Sequence, residues 1–139
     1  MIDPIPFGTF ARFERLTAEE PLLYADPPAW AAAAHAIVVD DEVHYLWAEK
    51  KAGNQWVHMH SRAPTRDPTN VTHDPRNPIL TARPTGFDSH DVEYPFPFLN
   101  PADGRYYMYY LGKGPERPAR KQTGLLVGDG DLGQWTRHC

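Results

Sequence analysis

The sequence predicts an all-β fold, two four-stranded antiparallel repeats of the kind that stack as β-propeller blades. Three observations carry that prediction. Short runs of β-forming residues recur along the chain. Fifteen prolines and ten glycines in 139 residues punctuate them, and proline at more than twice its average usage of about 5% favours many short elements over long helices. The pattern of the first half also returns in the second with a period of about 60, which suits a four-stranded blade with long loops.

The elements follow in order. Ala36-Ile37-Val38-Val39 is a β-rich run that ends in the turn Asp40-Asp41-Glu42. Val43-His44-Tyr45-Leu46-Trp47 comes next, with Val43, Tyr45 and Trp47 on one face. Trp56-Val57-His58-Met59-His60 is a third strand after Gly53-Asn54, and three strands joined by tight turns make a meander. The second half repeats the plan with Glu93 to Leu99, Arg105 to Tyr110 and Thr123 to Val127. Ala29 to Ala34 has helical propensity but is too short to be helical alone, so it is expected as a turn or irregular approach to the first strand.

The repeat is legible in the letters. Pro21-Leu22-Leu23-Tyr24-Ala25 matches Pro78-Ile79-Leu80-Thr81-Ala82, and Val43-His44-Tyr45-Leu46-Trp47 matches Tyr106-Tyr107-Met108-Tyr109-Tyr110. Each unit thus opens on a "Pro-Leu-Leu" strand, and one domain divides at about 9–66 and 67–130, with the start of a third unit at 131–139. On this reading the last blade lacks its outer strand. Propellers close with about four to eight blades, so the chain is expected to be a partial propeller, the front of a longer protein or one member of a ring completed by oligomerisation. In a head-to-tail homo-oligomer, residues 20–25 of one chain would complete the last blade of the next. Glu93-Tyr94-Pro95-Phe96-Pro97-Phe98 carries two prolines that no central strand tolerates, which places it as an innermost strand with one unpaired side.

Charge and composition exclude several classes. A net charge of −4 leaves no basic surplus for nucleic-acid binding. No apolar run reaches the roughly 18 residues that span a membrane, and the first residues lack a secretory signal. The one cysteine, Cys139, excludes an intrachain disulfide, and a cytoplasmic setting is expected. No phosphate loop or nucleophile elbow appears, so no cofactor is expected. The basic loop from Lys113 to Lys121 reads as a solvated turn.

Glu93-Tyr94-Pro95, then Gly104-Arg105-Tyr106-Tyr107-Met108-Tyr109-Tyr110, then Thr123-Gly124-Leu125-Leu126-Val127 with Asp131-Leu132 and Trp135-Thr136, resemble the blade pattern of five-bladed propeller glycoside hydrolases. These are the family 43 arabinofuranosidases and xylosidases and their family 32 and family 130 relatives. The resemblance covers about two of the five blades. It implies a saccharide ligand at the channel mouth and a general acid at Glu93, which stands in the context of the family's Glu-Gly-Pro with tyrosine for glycine. Where the family places a basic aspartate, heading its first blade, this chain has Ala33-Ala34-His35-Ala36.

Glycoside cleavage uses two carboxyl groups flanking a bond. Asp88, Asp91 and Glu93 cluster beside the expected channel, and Asp91 and Glu93, two apart on a strand, share a face. They are the candidate catalytic residues. His35 and His90 precede or head inner strands, and Trp30 lies in the approach to one; these three are the candidate saccharide contacts. His58 and His60 share a face like half a metal site, but no third or fourth ligand lies near them in sequence, so no metal is expected. The tyrosine run of 106–110 reads as core packing between blades. Two functions remain open: a glycoside hydrolase-like protein that binds, or binds and cleaves, a saccharide, and a non-catalytic truncated or self-assembling propeller module that binds carbohydrate or protein.

Overall fold

The computed structural model describes residues 22–23, 30–51, 53–116 and 120–138. Eight strands run in chain order: β1 (Trp30–Val39), β2 (Glu42–Lys50), β3 (Trp56–Pro64), β4 (Thr72–His73), β5 (Asp91–Leu99), β6 (Tyr106–Lys113), β7 (Lys121–Gly128) and β8 (Thr136–Arg137). They form two four-stranded antiparallel meanders, β1-β2-β3-β4 and β5-β6-β7-β8. The fold is all-β, as the alternation and repeat predict. No helix among the described residues is long and apolar enough to cross a membrane.

Two expectations are corrected. The alanine-rich stretch is not an irregular approach but the first part of β1, with Trp30, Ala31 and Ala32 paired to Lys50, Glu49 and Ala48. Alanine is a poor strand former, yet its small side chain lets β1 pack closely beside β5 of the second sheet. The second sheet also does not lack an outer strand. Trp135 Nε1 donates to Leu132 O at 2.7 Å, closing a short loop that returns Thr136 and Arg137 to pair with Val127 and Leu126. The position expected to await a neighbouring molecule is filled from within. Leu22 and Leu23 form no strand and pack on the first sheet's outer face; the remainder of residues 20–25, like Cys139, lies outside the described residues. Ile79 and Leu80 add only a single bridge, His58 to Leu80, at the edge of β3.

The sheets meet along a seam. Leu46 of the first sheet and Leu80, bridged to its edge, pack with Val92, Met108, Tyr110 and Leu126 of the second unit, flanked by Ile37, Phe87 and Trp135. Pairing places Ala32, His35 and Ile37 on the face of β1 that Ala48, Leu46 and His44 share on β2, and β3 continues it with His58, His60 and Arg62. The seam therefore has two ends, one at Ala32 and Ala48, the other at Ile37 and His44. Tyr110 closes its middle: its ring lies where a Cβ on Gly124 would come within 2.3 Å, and its hydroxyl donates to Asp88 at 2.8 Å. A ring fixed at both ends cannot swing aside. Gly124→Ala is expected to cost about 1–3 kcal/mol by overpacking, read as a shift of the urea midpoint at unchanged slope.

Both inner strands are broken by the same device. The register of β1 shifts between Ala32 and His35, and that of β5 between Glu93 and Phe96. Within these bulges Ala33 and Tyr94 adopt φ of 53° and 52°, a left-handed conformation that costs a non-glycine residue roughly 1–2 kcal/mol. Ala32 thus occupies in the first blade the place Glu93 holds in the second. The bulge also accommodates Pro95, which donates no ladder hydrogen bond.

Candidate functional site

At the Ala32 end of the seam lies a cavity of about 270 Å³ lined by residues of both sheets, Ala32, Ala33, Ala48, Trp56, Glu93, Tyr94, Lys113 and Lys121. The two strained bulge residues, Ala33 and Tyr94, both line it, and strain of this kind collects at functional sites. Glu93 is only 6% exposed. Its carboxylate accepts a short hydrogen bond from Lys113 Nζ, and the same ammonium lies 3.6 Å from Asp91 Oδ2. Burial alone would lower the Lys113 pKa; Glu93 and Asp91 reverse that and hold it above its ordinary value. Asp91 Oδ1 accepts the Trp56 backbone N–H at 2.9 Å, stitching the head of β5 to the head of β3 beside the cavity.

The predicted residues divide. Glu93 lines the cavity, and Asp91 stands next to it on the same strand, sharing Lys113. His90 reaches Asp91 Oδ2 with Nδ1 at 3.1 Å and is about half exposed. His35 meets Phe96 edge to face at 4.8 Å between centroids and is not a lining residue. Trp30 is 69% exposed at the outer end of β1, with Lys50 Nζ 6.0 Å from its ring; Trp56 takes the cavity position instead. Asp88 is fully buried and serves the fold. It accepts Arg83 Nε at 2.6 Å, the Tyr110 hydroxyl at 2.8 Å and Arg137 Nε at 2.9 Å. Burial would raise its pKa, but these three donors overcome that and hold it below the usual carboxylate value. With its oxygens so engaged, Asp88 is no free acid or base.

No family model matches this protein, and neither does any curated protein. Among solved structures, one described as a BT0996 RGII complex superposes with a TM-score of 0.62 at 14% identity, over 78% of this sequence and 36% of that one. Another, described as "Glycoside hydrolase", gives a TM-score of 0.61 at 14% identity, again over 78% of this sequence and 36% of that one. The fold is glycoside-hydrolase-like. This protein spans little more than a third of the length of the structures it matches.

Sequence reasoning missed Trp56, Tyr94 and Lys113. Trp56 begins a strand in the meander and reads as core; only the contact of β3 with β5 across the two sheets places it at the cavity. Lys113 sits at the edge of a basic loop, where its partners Asp91 and Glu93 are remote in sequence. His58 and His60 do share a face, as their spacing predicts, but they part in environment. His58 is fully buried in mid-seam, and neither ring nitrogen makes a well-formed hydrogen bond among the described residues. Burial, opposed by the nearby Glu93 backbone carbonyl and aided by Arg137, brings its pKa down to about 4. No cluster of three potential metal ligands occurs among the described residues.

Proposed function

We propose that this protein is a propeller module that binds a saccharide unit in the Glu93 cavity and does not cleave it. One observation carries the reading: the buried, ion-paired Glu93 and Lys113 line one small cavity together with two aromatic residues, Trp56 and Tyr94. Sugar hydroxyls pair with the charged groups, and the apolar face of a sugar ring packs on an aromatic side chain. Cleavage requires a second carboxyl group across the scissile bond. At the equivalent bulge of the first blade that place is held by Ala32, and Asp91 lies on the same strand as Glu93, so the two do not flank a ring.

Calorimetric titration with pentose and hexose oligosaccharides, alongside assay of the corresponding p-nitrophenyl glycosides, tests both halves. The wild type is expected to bind one of the sugars without releasing nitrophenol. Glu93→Gln and Trp56→Ala should each weaken binding about tenfold, the worth of one good hydrogen bond or a stacked ring. Turnover abolished by Glu93→Gln would establish the hydrolase instead. Absence of binding across the panel would refute the saccharide reading.

A further inference from the structure

Lysine is scarce in this protein and gathered in one place. Only four of its 14 basic residues are lysines, Lys50, Lys51, Lys113 and Lys121. Lys113 and Lys121 line the Glu93 cavity. Lys50 stands at its rim, for its direct cross-strand partners are Trp56, a lining residue, on one side and Trp30 on the other. Directly opposite residues share a face, and Ala48, two positions earlier on the same strand, lines the cavity as well. The fourth, Lys51, is bound to Glu49.

The three lysines at the cavity are not employed alike. Lys113 serves both local carboxylates, Glu93 and Asp91, and Asp91 also takes His90 Nδ1 at 3.1 Å. Lys121 and Lys50 have no carboxylate partner among the described residues; Lys50 Nζ lies 6.0 Å from the centroid of the Trp30 ring. Three ammonium groups are thus set against two carboxylates, in a protein whose net charge is −4.

The placement of Lys121 works against the fold. It lies directly opposite Lys113 across β6 and β7, and like charges so paired are destabilising. Asp91 flanks Lys113 from the other side and offsets part of this. Lys121 is exposed at the start of β7, where no packing calls for a lysine; a glutamate there would attract Lys113 instead of opposing it. A residue that costs stability while lining a cavity points to a ligand that repays the cost. A neutral sugar would leave the surplus positive charge unanswered, whereas an anionic one supplies the missing partner. Ammonium groups suit that task, being compact charges on flexible stems.

We propose that the saccharide held in the Glu93 cavity is anionic, its acidic group pairing with Lys121 and Lys50 while Lys113 remains with Glu93 and Asp91. The acidic group is the carboxylate of a uronic acid or the sulfate of a sulfated sugar. This inference rests on the saccharide reading of the cavity and narrows it to a class of ligand.

Matched sugars test it. Methyl glycosides of glucuronic, galacturonic and mannuronic acid are titrated beside their neutral hexose counterparts and the same hexoses sulfated on the primary hydroxyl, with binding followed in ¹⁵N–¹H correlation spectra. At low ionic strength one anionic sugar should bind about tenfold tighter than its neutral counterpart, the worth of a charge-assisted hydrogen bond. The preference should shrink as sodium chloride screens the ammonium groups. Whether the uronate or the sulfate binds tighter assigns the acidic group. Lys121→Met and Lys50→Met should each bring the ratio of the two affinities severalfold closer to one. Urea unfolding supplies the control on folding: Lys121→Met should be at least as stable as the wild type, since it removes the charge opposite Lys113. Equal affinity for anionic and neutral partners would overturn this inference and leave the saccharide reading standing, while absence of binding by every sugar would overturn both. An anionic preference unmoved in both variants, or a Lys121→Met protein less stable than the wild type, would overturn the role given to these lysines.

Discussion

Asp88→Asn is expected to destabilise the protein by about 3 kcal/mol, the lower end of the range for breaking a buried ion pair. The carboxylate is fully buried and receives two arginines and a tyrosine. Arg83 and Tyr110 come from the second unit's loop and β6, and Arg137 from β8, so one side chain ties the outer strand to the seam. Asparagine keeps the size but loses the charge, and its amide turns a donor toward donors. The arginine heads reach solvent, at 34% and 24% exposure, which spares the variant the full cost of stranding them. Urea unfolding measures the change. A loss below about 0.5 kcal/mol, the scale of an ordinary surface substitution, would show that the three contacts do not hold Asp88 in solution.

The second large effect is a loss of stability in mild acid. The unfolded chain protonates His58 near 6.5, whereas the folded protein resists until about pH 4. Between those values the unfolded state binds more protons, so stability falls as pH falls. The full window is worth about 3 kcal/mol for this residue. His44, whose pKa is also lowered, adds in the same direction. Below that window the depressed carboxylates Asp74, Asp88 and Asp131 take over: their contribution is present above the unfolded value and is lost as pH drops through the folded ones. Urea midpoints across pH 7 to 4 give the slope. His58→Leu should flatten it while leaving neutral-pH stability nearly unchanged, since the ring nitrogens it removes make no well-formed hydrogen bond among the described residues. An identical slope in both proteins would remove His58 as the cause.

Much of the architecture was legible because strand alternation and turn residues are local signals. The β-meanders around Val43 to His60 and Tyr106 to Val127 follow from that alternation, and Pro95 and Pro97 marked β5 as a strand with one unpaired side. The alanine stretch misled because its pairing partners, Ala48 to Lys50, override a propensity that opposes strand. The outer strand β8 was invisible: two residues, Thr136 and Arg137, carry no periodicity. The site was legible only where chemistry coincides with sequence neighbours. Asp91 and Glu93 share a face by spacing alone, while Lys113 reaches Glu93 through the β5–β6 pairing and Trp56 through a contact between the sheets, neither of which a local pattern encodes. Asp88 looked equivalent to its neighbours until its three donors, two of them more than twenty residues away, came into view.

The margins of the sheets have a further consequence, for how this protein meets other copies of itself in a crowded solution. A long bare strand edge is a template for runaway pairing. Here the outer edges are β4 and β8, each two residues long, offering almost no row of amides to a passing molecule. The longer inner margins, β1 and β5, are each kinked by a bulge, and β5 is further interrupted by two prolines with no N–H to give. All four margins are thus poor seeds for fibrils, even though Phe96, Leu99 and Tyr109 stand exposed beside one of them.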